Sequence, residues 1–502
     1  NYTTATQVAL GSNAGDYRQG MNAVAIGLAA GQASQEQGSI AIGEYAGQIN
    51  QGLYAVALGS YAGQTSQGGY AVATGTSAGQ TSQGGYAVAT GYNAGQTSQG
   101  GYAVATGYNA GQTSQGGYAV ATGYNAGQTS QGGYAIAMGT SAGQTSQGGY
   151  SVAIGYNAGT TNQGSNAVAI GLSAGSNNIA PSHISIGFNA GLSNSLATAN
   201  NTIAIGTAAG NSQQGLNAVA IGSNAGTSNQ GSGAVALGAG AGQSTQAVNS
   251  VAIGLRAGSN NIATSHISIG CNAGLSNSLA TANNTIAIGT AAGNSQQGCN
   301  AVAIGCNAGT SNQGSGAVPL GAGAGQVSQT VNSVAIGLSA GSNNIAPSHI
   351  SIGCNAGLSN SLATASNTIA IGTAAGNSQQ GCNAVAIGCN AGTSNQGSGA
   401  VALGAGAGLV SQTVNSVAIG LSAGSNNRAP NHISIGCNAG LSNSLATANN
   451  TIAIGTAAGN SQQGCNAVAI GCNAGTNTQG SGAVALGTGA GSNTSNTRCR
   501  GY

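Results

Sequence analysis

Along most of the chain two branched or long residues alternate with two small ones and then stop at a glycine. Ala87-Val88-Ala89-Thr90-Gly91 is one instance and Ala218-Val219-Ala220-Ile221-Gly222 another. Alternation with a period of two predicts a β-strand with unlike faces, and the glycine ends it. The phrase returns from Val8 to Gly487, and its closing glycines form a ruler: Gly11, Gly27, Gly43 and onward to Gly187, each 16 residues after the last. The steps ending at Gly206, Gly289, Gly372 and Gly455 are 19, all others are 16, and thirty coils result. Three copies, starting at Ala87, Ala103 and Ala119, are letter for letter identical. A chain that repeats itself so closely folds as stacked equivalent units without a private core.

The first small residue of the phrase is position one. The pattern predicts a second, shorter extended piece at positions six to eight, as in Tyr92-Asn93-Ala94, closed by Gly95 at position nine. Gln96-Thr97-Ser98-Gln99-Gly100-Gly101 carries turn chemistry. Helix is a poor reading, because each unit holds three or four glycines, at about 1 kcal/mol apiece. The 19-residue coils lengthen only the turn, as in the stretch 192–201, so the insertions fall on one edge. From Gly171 a longer period of 83 residues joins Gly171, Gly254, Gly337 and Gly420, which points to a duplicated block of five coils. The predicted fold is all-β: one parallel β-solenoid or β-roll. It comprises a Tyr-rich zone over 1–166, a block-repeat zone over 167–491 and a tail over 492–502.

Sixteen residues per coil enclose a thin cross-section, so the residues facing inward, such as Ala89 and Ala94, are small. Val and Ile at positions two and four then form two outward rows, represented by Val88, Val104, Val120, Val168, Ile170, Val219 and Ile221. At about 1.5 to 3 kcal/mol per buried aliphatic side chain, such a stripe drives association. Three copies sharing a Val/Ile core about a rotation axis close it most simply. A single-chain solenoid with Val/Ile inside and Ala outside is the alternative closure.

The stretch Asn217-Ala218-Val219-Ala220-Ile221-Gly222-Ser223-Asn224-Ala225-Gly226 resembles the head repeat of the YadA-like trimeric autotransporter adhesins. Similar repeats occur in fibre proteins of phages and large DNA viruses. The resemblance covers nearly the whole chain and implies a left-handed parallel β-roll assembled as a homotrimer. The family's repeat is usually 14 residues, against 16 here, and neither a heptad stalk nor a membrane anchor is found.

Composition narrows the functional classes. Five basic and three acidic residues leave no basic patch for nucleic acid, and no charged side chain stands between Tyr45 and Leu255. No apolar run approaches the ~18 residues of a membrane span, so membrane insertion is not expected. With 4 Pro and no three-residue glycine period, collagen is excluded. So few carboxylates, with no nucleophile-base-orienter set, argue against an enzyme, and no catalytic, cofactor or metal residues are assigned. The chain begins at Asn1 without an initiator Met or a charged-then-apolar leader, which reads as a processed product or a segment of something longer.

Candidate surface chemistry lies in ladders. Tyr54, Tyr70, Tyr86, Tyr102, Tyr118, Tyr134 and Tyr150 share position sixteen, and Tyr92, Tyr108 and Tyr124 share position six. A tyrosine strip can bind sugar rings of a host glycan or receptor, or it can simply stiffen the stack. His183, His266, His349 and His432 recur at position one, one per block. They read as packed or solvent-facing residues, unless three copies bring them to a common axis. Cys271, Cys299 and Cys306 recur in each later block and Cys499 stands alone; they read as small packing residues or as interchain disulfides in an oxidising compartment. No CxxC pair is present. Glycosylation sequons begin at Asn200, Asn283 and Asn449 on the long turn. Gly238-Ala239-Gly240-Ala241-Gly242 lacks the helix and acidic residue of a dinucleotide loop.

These features predict a rigid structural fibre of about 140 Å per chain at strand spacing. Self-association, as a homotrimer or a head-to-tail filament, would place it extracellularly, on a cell surface or on a virion. Two alternatives remain: an adhesin that binds glycans or a host surface, and an ice-binding β-solenoid. Ice binding calls for a regular Thr-x-Thr face, whereas the strand threonines stand singly at Thr74, Thr90, Thr106 and Thr122.

Overall fold

The alternating phrase forms a three-residue strand in every coil of the computed structural model, which describes residues 6–196, 199–279, 282–362 and 365–492. Contacts divide the chain into one unit ending at Ser250 and a second beginning at Val251. The first unit stacks fifteen such strands, from Val8–Leu10 to Val235–Leu237, and the second fifteen more, from Val251–Ile253 to Val484–Leu486. Within each unit successive strands pair in parallel, each residue beside its equivalent in the next coil, as in Val88↔Val104, Ala89↔Ala105 and Thr90↔Thr106. Backbone bonds run from each coil to both neighbours: Val88 N donates to Ala103 O at 2.9 Å and Tyr102 N to Gly85 O at 3.0 Å. Both units are parallel β-solenoids.

A second sheet lies where the sequence suggests a turn. It comprises nine strands from Tyr17–Gln19 to Thr145–Gln147, in register as Thr81↔Thr97 and Gln83↔Gln99. The expected strand at Tyr92-Asn93-Ala94 is instead a corner, because Gly91, Asn93 and Gly95 all have left-handed φ, at 130°, 54° and 53°. Residues held there cannot continue a ladder. Thr97-Ser98-Gln99 does pair, but Ser98 has φ 58°, which breaks the alternation of side chains. Thr97 and Ser98 both face outward and only Gln99 faces inward, so the strand carries no period-two signal. Beyond residue 161, among the described residues, this side persists as isolated bridges such as Gln214↔Gln230 and, in the second unit, Gln297↔Gln313.

The interior is built from alanine and glutamine. Ala87, Ala89 and Ala94 are fully buried, and the equivalents of Ala89 and Ala94 stay so from Ala25 to Ala174. Val88 is half-buried and Thr90 exposed on the opposite face of the same strand. Placing Val/Ile inside and Ala outside is thereby excluded: the room between two short strands admits methyl groups and one carboxamide per coil. That carboxamide is Gln99, whose Nε2 donates to Val88 O at 2.8 Å and to Ala103 O at 3.2 Å. Gln83 Nε2 donates to Gln99 Oε1 at 3.1 Å, so the side chains also bond along the stack.

Glycine at position five is required sterically. Gly107 has φ 132°, and a Cβ there would lie 2.5 Å from Gly123 O of the next coil. The 19-residue coils leave the main sheet unbroken, with Ile184↔Ile203 in register, so the longer spacing does not disturb that ladder. Pro319, lacking an N–H, narrows its pairing on one side to Ile304↔Leu320 and keeps all three partners on the other.

Candidate functional site

The candidate functional chemistry lies on the outer faces and in a recurring buried cluster. The tyrosines of position sixteen sit at a corner in left-handed conformation, with φ 61° at Tyr102. Stacking brings their rings together: Tyr86, Tyr102 and Tyr118 follow one another at centroid distances of 4.9 Å with planes 3° apart. Tyr70 and Tyr86 on one side, and Tyr134 and Tyr150 on the other, continue the column at the same 4.9 Å, and Tyr54 ends it in a tilted contact with Tyr70 at 5.5 Å and 37°. Tyr92, Tyr108 and Tyr124 form a parallel column at 5.0 and 5.1 Å. A third pair, Tyr45 and Tyr61 at 5.1 Å, was missed by the sequence reading although the two stand 16 residues apart at position seven. In each column the inner rings cover one another's faces, so no free π-face remains on which a sugar could stack, except at the ends.

The outward rows of the main sheet carry the predicted association residues. Val88, Val104, Val120, Val168 and Val219 are half-buried, while Ile170 and Ile221 are 37% and 38% exposed. The second sheet presents Gln, Thr and Ser. The outer glutamines bond along the stack, as Gln96 Nε2 to Gln80 Oε1 at 2.9 Å.

The histidines mark a change of interior. In the coil before each long turn, position thirteen holds Ile179, Ile262, Ile345 or Arg428 in place of glutamine, and the following position one holds His183, His266, His349 or His432. All four rings are fully buried. A histidine packed inside its own coil cannot meet another chain at a shared axis. Each ring takes the place of the missing carboxamide: a Cβ on Gly175 would lie 3.0 Å from His183 Nε2, just as one on Gly95 would lie 2.7 Å from Gln99 Oε1. His183 Nδ1 lies 2.8 Å from Ala180 O, and His432 Nδ1 2.8 Å from Ala429 O. A carbonyl only accepts, so Nδ1 carries the proton and Nε2 presents a lone pair to the interior. In the same and adjoining coils, Asn178 Nδ2, Ser185 Oγ and Thr202 Oγ1 are buried without hydrogen-bond partners among the described residues. The same set returns as Asn344, Ser351 and Thr368 with His349, and as Asn427, Ser434 and Thr451 with His432. Burial holds all four histidines below the usual imidazole range, His432 at about 4, with the carbonyl bond opposing it only in part.

Among the described residues the cysteines are unpaired and accessible: Cys271 and Cys299 are half-buried and Cys306 is exposed. Cys499 lies outside the described residues. Cys382, the equivalent of Cys299, sits 3.3 Å from Ser366 Oγ, and that contact lowers its pKa. Of the sequon asparagines, Asn283 and Asn449 are exposed and Asn200 is half-buried, but the Thr202, Thr285 and Thr451 hydroxyl-bearing side chains are buried in the coil. Among the described residues no group of three His, Cys, Asp or Glu side chains is placed to hold a metal ion, and no helix is long and apolar enough to cross a membrane. Neither a family model nor a curated protein matches the sequence.

Proposed function

We propose that the chain is a structural fibre protein whose solenoids associate through the Val/Ile rows of the main sheet, three copies around a common axis. The observation that carries this reading is the inside-out distribution of size. Each coil turns its alanines to its own interior and leaves its larger residues in two outward rows, Val or Ile throughout at position two and apolar at position four except for Thr74, Thr90, Thr106 and Thr122. At about half of a full burial, each such side chain contributes on the order of 1 kcal/mol when covered, and a unit has many in series. Closure of three like faces removes the stripe from water without an open edge. The resemblance to the YadA-like head repeat supports the same assembly. A charge-poor, tightly bonded surface suits an extracellular, cell-surface or virion fibre, and accessible thiols of the second unit would lock neighbouring copies together in an oxidising compartment.

Sedimentation equilibrium tests the assembly. The expected mass is three times that of one chain, falling to one chain when Val104 and Val120 are both changed to Asp; a native chain that sediments as a lone monomer refutes it. The adhesin reading through tyrosine is weaker, because stacking covers the inner ring faces.

A further inference from the structure

The outer face of the second sheet in the first unit has no assigned role. From Thr65 to Ser146 six consecutive coils repeat Gln-Thr-Ser at positions ten to twelve: Thr65, Thr81, Thr97, Thr113, Thr129 and Thr145, each followed by serine. The strand register places each threonine directly beside the next, without a gap. The left-handed serine turns consecutive side chains outward, so from Thr81 onward each coil exposes both hydroxyls. None of these hydroxyls makes a hydrogen bond among the described residues. In later coils some turn hydroxyls are taken up internally: Thr227 Oγ1 donates to Asn224 O at 2.7 Å and Thr310 Oγ1 to Asn307 O at 2.8 Å. The Tyr-rich zone thus carries an uninterrupted array of unbonded hydroxyls, two rows wide and advancing one coil at a time.

The coil advance is read directly from the tyrosine columns, whose rings repeat every 4.9 Å. Each hydroxyl can both donate and accept. Threonine is stiff at χ1, and every coil is tied by backbone bonds to both neighbours, so little freedom is lost when a ligand is bound. A ligand that matches such an array must itself be periodic and able to donate and accept at every repeat. Three classes qualify: a second copy of the face, a crystalline polysaccharide and crystalline water. A second copy is better served by the Val/Ile rows, where burial supplies a drive that hydroxyl pairing lacks. Polysaccharide binding would draw on free aromatic faces, and the neighbouring tyrosines have covered theirs. Ordered water requires neither, and the absence of charge between Tyr45 and Leu255 leaves no tightly hydrated ion to disrupt the lattice.

We infer that the Thr65–Thr145 face binds the surface of ice, through ranks of hydroxyls that hold lattice water in register with the coils. The strand threonines at Thr74, Thr90, Thr106 and Thr122 are not needed for this, because the array belongs to the other sheet. The test uses the full chain in a thermal-hysteresis measurement, with uptake of the fluorescently labelled chain into a slowly grown ice crystal as the second readout. The expected result is a depressed freezing point with a faceted crystal, and incorporation into ice. Both should vanish in the triple variant Thr81→Lys, Thr97→Lys, Thr113→Lys, and both should persist in Tyr102→Asn, Tyr118→Asn, whose changes lie at the corner. Circular dichroism and melting of each variant separate a lost face from a lost fold, and Thr97→Lys alone, the mildest change, should weaken both readouts. A native chain without hysteresis or uptake overturns the inference. So does full activity in a folded triple variant, and so does threonine-dependent binding to crystalline cellulose in place of ice.

Discussion

Acidification should open the solenoids at their histidine clusters before anywhere else. Each ring is fully buried, its Nδ1 proton is committed to a carbonyl 2.8 to 2.9 Å away, and its Nε2 shares the space beneath a glycine with alanine and serine side chains. A second proton would bring a charge into that interior with no carboxylate to meet it, since the acidic residues are confined to Asp16, Glu36 and Glu44. Above the ordinary imidazole pKa of 6.5 folded and unfolded chains are both neutral there, and the histidines cost nothing. As the pH falls below 6.5 the unfolded state takes up the proton first, so stability is lost progressively until the folded pKa is reached, at about 4 for His432. The interval from 6.5 to about 4 corresponds to roughly 3 kcal/mol at that site, and the other three act in the same direction. Because a coil contacts only its neighbours, the loss is local and does not spread evenly. Amide hydrogen exchange at pH 7.5 and 4.5, corrected for intrinsic rates, is the assay. Peptides covering the four clusters should gain exchange on acidification, while those within 71–150, which contain no histidine, should not. Replacing all four histidines with Gln should flatten the pH dependence between 6.5 and 4. Uniform exchange along the chain, or an unchanged pH slope in that variant, refutes the reasoning.

Two further outcomes follow from the interior and the stack. Gly107→Ala should lower the melting temperature and open its own and the adjoining coil, because the new Cβ meets Gly123 O at 2.5 Å and must adopt φ 132°, a strain of about 1–3 kcal/mol before the clash is added; the equivalent change at Gly101, whose nearest atom is 3.4 Å away, should be tolerated far better. Gln99→Leu should destabilise by about 1–3 kcal/mol in chemical denaturation, since it removes the donor to Val88 O and Ala103 O and the acceptor for Gln83, whereas Gln96→Leu on the outer ladder should cost much less.

The ruler of glycines made most of the architecture legible. Its even steps required parallel stacking in register, its four longer steps located the insertions, and the alternation of small and large residues in Ala87–Gly91 fixed which face turned inward once the cross-section was known to be thin. Thr97–Gln99 stayed hidden because its middle residue is left-handed, so two polar side chains in a row face out and the strand imitates a turn. The hydroxyl face went unread with it. Gln99 stayed hidden for a related reason: glutamine within a polar run reads as solvent-facing, and only the geometry shows its carboxamide reaching back across the coil to the main sheet.

The histidines show why position-by-position reading fails inside such a stack. Taken alone, His183 is a polar residue where alanine belongs, and Ile179 is an apolar residue where glutamine belongs. Taken together they are one substitution: the isoleucine turns outward, 37% exposed, and the imidazole enters the space beneath Gly175 that a carboxamide fills beneath Gly95. The interior of each coil therefore fixes a volume and a need for a polar group, without fixing which position supplies it. That exchange recurs with Ile262 and His266, Ile345 and His349, and Arg428 and His432, in each case just before a long turn. Position thirteen tolerates even arginine there, because in those coils it no longer faces the core. Where glutamine fills the core its amide donates to backbone carbonyls, as Gln99 does to Val88 O and Ala103 O, and does not titrate; where histidine fills it, the same space acquires a titratable group. The block period of 83 residues is thus also the spacing at which the solenoids acquire acid-sensitive joints.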